Sequence, residues 1–143
     1  MISHNGLRHL ALRVADVERA KEFYLHVFGM QVVWQPDADE VYLSSGCDNL
    51  ALHRRREPAG AGSGQRVEAR ASSLDHLGFV VANVAEVEAG YAWAQRNSLE
   101  IVRPLRHHRD GAVSFYLRDP DGNVIQVLYE PSISARKLVD TKA

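Results

Sequence analysis

The chain has 143 residues, a formal net charge of −1, and 45% hydrophobic against 24% charged side chains. Its length bounds it to one compact domain, and its near-neutral charge gives no general pull toward nucleic acid or an anionic membrane. A single cysteine, Cys47, excludes an intrachain disulfide and fits a reducing compartment. The start, Met-Ile-Ser-His-Asn-Gly, shows no signal-peptide pattern, and no apolar run approaches the roughly 20 residues that span a bilayer. A cytoplasmic protein with neither a nucleic-acid nor a membrane partner is expected.

Residues 7–14 (LRHLALRV) alternate as a strand, with Leu10, Leu12 and Val14 on one face and His9, Ala11 and Arg13 on the other. Asp16 is a plausible helix N-cap; Val17, Ala20, Tyr24 and Val27 then recur at helical spacing, and Gly29 is a plausible stop. Strand-like stretches follow at 30–35, 40–44 and 49–54. The segment 56–72 is rich in Gly, Ala, Ser and charge without periodicity, and reads as a linker. Its GAGSG piece lacks the Gly-Lys-Ser/Thr of a phosphate loop. The order then repeats. Residues 74–81 (LDHLGFVV) form a strand, Asn83 with Glu86 resembles a capping box, and Val84, Val87, Tyr91 and Ala94 line a helical face. Strands are predicted at about 99–104, 112–118 and 123–129, the last two joined by the turn Asp119-Pro120-Asp121-Gly122. The tail 131–143 is polar.

LRHLALRVADV (7–17) and LDHLGFVVANV (74–84) are nearly the same statement made twice, with His9 and His76 at the same place, 67 residues apart (76 − 9). The chain is therefore α+β: two strand–helix–three-strand modules, residues 6–55 and 73–130, each with an apolar sheet face under one helix, within a single domain. A pseudo-two-fold relation between the halves is expected to bring His9 and His76 together, and two imidazoles at such an axis invite a divalent transition metal.

The pieces HLALRVADVERAKEFYLHVFGM, DHLGFVVANVAEVEAGY and FYLRDPDGNVIQV resemble the vicinal oxygen chelate superfamily of glyoxalase I, extradiol dioxygenases, and fosfomycin- and bleomycin-resistance proteins, over residues 6–130. The resemblance implies tandem βαβββ modules in open, barrel-like mixed sheets with the helices outside. It also implies a homodimer acting on a small molecule. Its metal ligands fall on His9, His76 and Gln126, the last where the family usually carries glutamate. An offset of 74 residues (116 − 42) places Leu52 opposite Gln126, and leucine cannot ligate, so a three-ligand, extradiol-dioxygenase-like layout is expected. The resemblance gives Tyr116 as a hydrogen-bond donor to developing charge and His107 or His108 as proton carriers. Arg13, Tyr42 and Leu52 are then candidate substrate contacts. Fe(II) or Mn(II) is the first choice of ion, Zn(II) or Ni(II) the next. Glutamine offers only a neutral amide oxygen, which removes one negative charge from the site. The alternative is a metal-free, bleomycin-resistance-type binder of an aromatic small molecule, with Trp34, Tyr42 and Trp93 as stacking surfaces.

Overall fold

The structure, a computed structural model, describes residues 7–55 and 74–134. The linker reading at 56–72 and most of the predicted tail fall outside the described residues. The chain divides into two units, Met1–Val67 and Glu68–Ala143, each built to the same plan.

In the first unit the elements are β1 (His9–Val14), α1 (Val17–Phe28), β2 (Gln31–Trp34), β3 (Glu40–Ser44) and β4 (Asn49–Arg54). The sheet order is β1-β4-β3-β2, with β1 parallel to β4 and the other pairs antiparallel. Helix α1 begins because the Asp16 carboxylate accepts the Arg19 backbone N–H at 3.0 Å. It ends at Gly29, whose φ of 63° is a left-handed cap conformation that costs glycine little. Its buried side chains Val17, Ala20 and Tyr24 cover the sheet over β3 and β4, where Val41, Leu43, Leu50 and Leu52 are buried.

The second unit has β5 (Leu77–Val80), α2 (Val84–Arg96), β6 (Ile101–His107), β7 (Val113–Arg118) and β8 (Val124–Tyr129), in the order β5-β8-β7-β6. Asn83 caps α2 by accepting the Glu86 N–H at 2.9 Å, and Glu86 reaches back to the Ala82 N–H at 2.9 Å. Val87 and Ala94 are buried, and Tyr91 meets Phe115 edge-on with ring centroids 5.3 Å apart. The β7–β8 turn is closed by Asp119, whose buried carboxylate accepts the backbone N–H groups of Asp121 and Asn123 and the Asn123 side-chain amide. The predicted α+β architecture of two βαβββ modules is the one observed, with two open four-stranded mixed sheets.

The ladders correct one register. Ala51 pairs with Tyr42 and Ala11, whereas Gln126 pairs with Tyr116 and Gly78. Ala11 and Gly78 hold the same place in the two repeats, so the counterpart of Gln126 is Ala51, not Leu52. The cause is a longer second hairpin: Ala51 lies nine positions after Tyr42, and Gln126 ten positions after Tyr116. A one-residue slip moves a side chain to the other face of a sheet. Leu52 is accordingly 0% exposed, under α1 and level with Leu12, and a side chain with no accessible surface cannot line a substrate cavity. Leu52→Ala is expected to destabilise the protein by about 2–5 kcal/mol in urea unfolding, the usual result for a fully buried leucine; a change near zero would return Leu52 to a solvent-facing site.

Candidate functional site

Strand alternation sorts each sheet into a face under its helix and a helix-free face. In the first unit the helix-free face forms a grid. One row is His9 and Asn49; the next is Ala11, Ala51, Tyr42 and Trp34; the third is Arg13, His53 and Glu40. Asn49, Tyr42, His53 and Glu40 are side chains on this face that interact with one another or with the predicted residues.

His9 is held by Asn49. Its Nδ1–H donates to Asn49 Oδ1 at 2.7 Å, across the β1–β4 pair. Its Nε2 is left with the lone pair that a metal would take. Tyr42 donates its hydroxyl to Glu40 Oε2 at 3.3 Å, and the same oxygen lies 3.2 Å from His53 Nδ1. Loss of hydration, then the negative Glu40 beside it, raises the Tyr42 hydroxyl above its ordinary pKa. Tyr42 also stacks at a tilt on Trp34, 5.1 Å between centroids, and meets His53 edge-on at 5.8 Å. Trp34 is 56% exposed, which makes it an aromatic surface and not a core residue. At the Arg13 end of these strands lies a pocket of about 560 Å³, lined in part by Arg13, Asp37, Asp39, Glu40, His53 and Arg54.

In the second unit the corresponding row is Gly78, Gln126, Tyr116 and Arg103. A Cβ added at Gly78 would lie 3.2 Å from Leu128 Cδ2, a tight contact. His76 immediately precedes β5. Its Nδ1–H donates to Asp75 Oδ1 at 2.5 Å, which again leaves Nε2 as the available lone pair. The hydrogen bond and charge of His76, with a smaller contribution from Arg103, hold the Asp75 carboxyl below its ordinary pKa. The His76 and Tyr116 rings meet edge-on at 5.4 Å, and the Arg103 guanidinium lies 4.8 Å over the Tyr116 ring. His76, Gln126 and Tyr116 are therefore neighbours on one face.

The two adjacent histidines part company. His107 falls within β6, opposite Val113, and its Nε2 lies 3.6 Å from Glu88 on α2. It sits on the helix side and leaves the set of proton carriers on the helix-free face. His108 places Nε2 3.2 Å from Ser114 Oγ, and Ser114 shares the face of Tyr116. Trp93 belongs to α2 and is not on the helix-free face. Glu130 accepts the Ser132 N–H at the end of β8, consistent with a role in the turn.

Sequence reasoning missed Asn49, Asp75 and the Glu40–His53 pair. Asp75 was open to discovery, since it abuts His76 in the chain. Asn49 and Glu40 meet their histidines only through strand pairing, for which no local signal exists. Among the described residues, no three His, Cys, Asp or Glu side chains cluster as a metal site.

The fold is that of a duplicated βαβββ protein with a helix-free sheet face in each unit. The chain belongs to the Glyoxalase/Bleomycin resistance protein/Dioxygenase superfamily, whose model matches residues 6–127. It is 28% identical over 125 residues to the metallothiol transferase FosB of Shouchella clausii, covering 86% of this chain and 79% of that protein. Two solved structures share the fold. The lactoylglutathione lyase of Agrobacterium tumefaciens superposes with a TM-score of 0.69 at 23% identity, covering 87% of this chain and 92% of that one. The fosfomycin resistance protein FosX of Listeria monocytogenes gives 0.68 at 17%, covering 95% and 100%.

Because the His76 bond depresses Asp75, the contribution of this pair to stability is present above the unfolded aspartate pKa and is lost as pH falls through the folded one. Carbon-detected NMR of the Asp75 carboxyl is expected to show a midpoint below the ordinary aspartate range, returning toward it in His76→Gln. An unchanged midpoint in that variant would mean that the bond does not persist in solution.

Proposed function

We propose that this chain is a divalent-metal-dependent enzyme acting on vicinal oxygens of a small molecule, with His9, His76 and Gln126 as the protein ligands. The observation that carries this reading is the shared treatment of the two duplicated histidines. Each gives Nδ1–H to a side-chain oxygen, Asn49 for one and Asp75 for the other, so each presents Nε2. Metal-ligating histidines are oriented in this way: a partner on one nitrogen fixes the tautomer and leaves the other free to bind. The donor set of two imidazoles and an amide oxygen suits Fe(II) or Mn(II), with Zn(II) or Ni(II) next.

The ion, when bound, supplies a Lewis acid and a template for two neighbouring oxygens, as in a catechol or an α-hydroxy carbonyl compound. Gln126 contributes no charge, so the positive charge of the site is left for an anionic substrate to balance. Tyr116, held between His76 and Arg103, is placed to donate a hydrogen bond to charge developing on a substrate oxygen. His108 is the proton carrier retained from the sequence reading. The layout of two histidines and one further ligand is dioxygenase-like, while the name of the FosB relative favours group transfer at a metal. A cytoplasmic homodimer completes the proposal.

A second reading has its own support. The exposed Trp34, stacked on Tyr42 beside His53, offers an aromatic strip that suits a metal-free binder of flat molecules.

Protein purified without chelator and loaded anaerobically with Fe(II) or Mn(II) is expected to hold close to one ion per chain by elemental analysis. His9→Ala and His76→Ala should each weaken binding at least tenfold, and Gln126→Glu should tighten it. Less than about a tenth of an equivalent after loading would sink the metal reading and leave the binder; unchanged affinity in Gln126→Glu would remove residue 126 from the ligand set.

A further inference from the structure

None of the protein ligands proposed above carries a charge: two are imidazoles, and Gln126 is an amide. A divalent ion would keep its full positive charge among such donors. Among the described residues, the carboxylate hydrogen-bonded to one of these ligands is that of Asp75, whose Oδ1 accepts from His76 Nδ1. In the first unit the matching partner is Asn49, a neutral amide, which accepts from His9 Nδ1 at 2.7 Å. The two duplicated histidines are thus held alike but backed by different charges.

Asp75 lies in the unit that also carries Gln126. Gly78, two positions after His76, pairs with Gln126 across β5 and β8. Tyr116 pairs with Gln126 on the other side and meets the His76 ring edge-on at 5.4 Å. The amide and the carboxylate-backed imidazole therefore belong to one face of one sheet.

We propose that Asp75 is a positioning residue that acts through His76, supplying from behind that ligand part of the negative charge that Gln126 does not bring to the ion. The inference rests on the metal reading above and deepens it.

The chemistry follows from the hydrogen bond. An aspartate is ordinarily ionised at neutral pH. A carboxylate that accepts Nδ1–H draws on that proton and leaves more electron density at Nε2, so the ring is a stronger donor than one bonded to an amide. His76 is then the stronger imidazole of the pair and His9 the weaker. The Asp75 side chain is 84% exposed, where water screens a through-space attraction, so the hydrogen bond carries the effect. Arg103 is the opposing cation. Its guanidinium is engaged over the Tyr116 ring at 4.8 Å, and its influence on the Asp75 carboxyl is smaller than that of His76.

The test uses the whole chain and Mn(II) as the probe. Asp75→Asn removes the charge and keeps an amide oxygen as acceptor, the pairing that Asn49 and His9 already show in this chain. Isothermal titration with Mn(II) at about pH 7.5 is expected to show a loss of about tenfold or more in Asp75→Asn, the usual cost of altering the partner behind a ligand. The same exchange made in Gln126→Glu should cost less than about threefold, because a carboxylate at residue 126 then meets the ion directly and the two substitutions couple. Nitrogen-15 NMR of the metal-free protein should show His76 protonated on Nδ1 both with and without Asp75→Asn. Affinity unchanged in Asp75→Asn, or an equal loss in both backgrounds, would overturn the inference. A loss accompanied by a changed His76 tautomer would also overturn it, since Asp75 would then orient the ring without supplying charge. No Mn(II) uptake by the unaltered protein would sink the metal reading and this inference with it; uptake that Asp75→Asn leaves intact would sink this inference alone.

Discussion

The hydrogen bond that fixes each duplicated histidine through Nδ1 is the interaction on which the functional account depends. An imidazole that donates from Nδ1 keeps its lone pair on Nε2, and its ring plane is set by the acceptor. Without that bond, His9 and His76 would be two exposed or half-exposed strand-edge residues with nothing to select a tautomer. With it, both present the same atom. The acceptors differ: Asn49 reaches His9 across a strand pair, whereas Asp75 reaches His76 along the chain. Val124 stands in the second ladder where Asn49 stands in the first, and valine cannot accept a hydrogen bond. Two different local contacts thus leave the same ring nitrogen free.

The duplicated ladders divide the remaining tasks. The row Ala11–Ala51–Tyr42–Trp34 in the first unit matches the row Gly78–Gln126–Tyr116–Arg103 in the second. Small residues on the parallel strand are common to both, and so is a tyrosine on the third strand. The differences carry the chemistry. Gln126 brings an amide where Ala51 brings a buried methyl group, and Arg103 brings a cation to its tyrosine where Trp34 brings a stacking surface.

Much of this was legible in the sequence because the signals were local. The strand alternation around His9, the Asp16 and Asn83 caps, the Gly29 stop and the Asp-Pro-Asp-Gly turn all act within a few residues, and the repeat was long enough to expose the duplication. What failed were the non-local features. The register of β4 depended on a one-residue difference in hairpin length, so Leu52 was taken for the counterpart of Gln126 when Ala51 holds that place. His107 and His108 are adjacent in sequence, yet one contacts α2 and the other Ser114, the opposite sides that neighbouring strand positions take. The Glu40–His53 pair joins residues on two strands whose alignment no local pattern fixes.

The proposed function stands on His9 and His76 as metal ligands. Pulsed electron paramagnetic resonance of the Mn(II)-loaded protein, with nitrogen-15 in the histidine rings, counts those ligands directly. The account predicts two coordinated imidazole nitrogens, reduced to one in His9→Ala and to one in His76→Ala. A single coordinated nitrogen that survives both substitutions, or none at all, would contradict it.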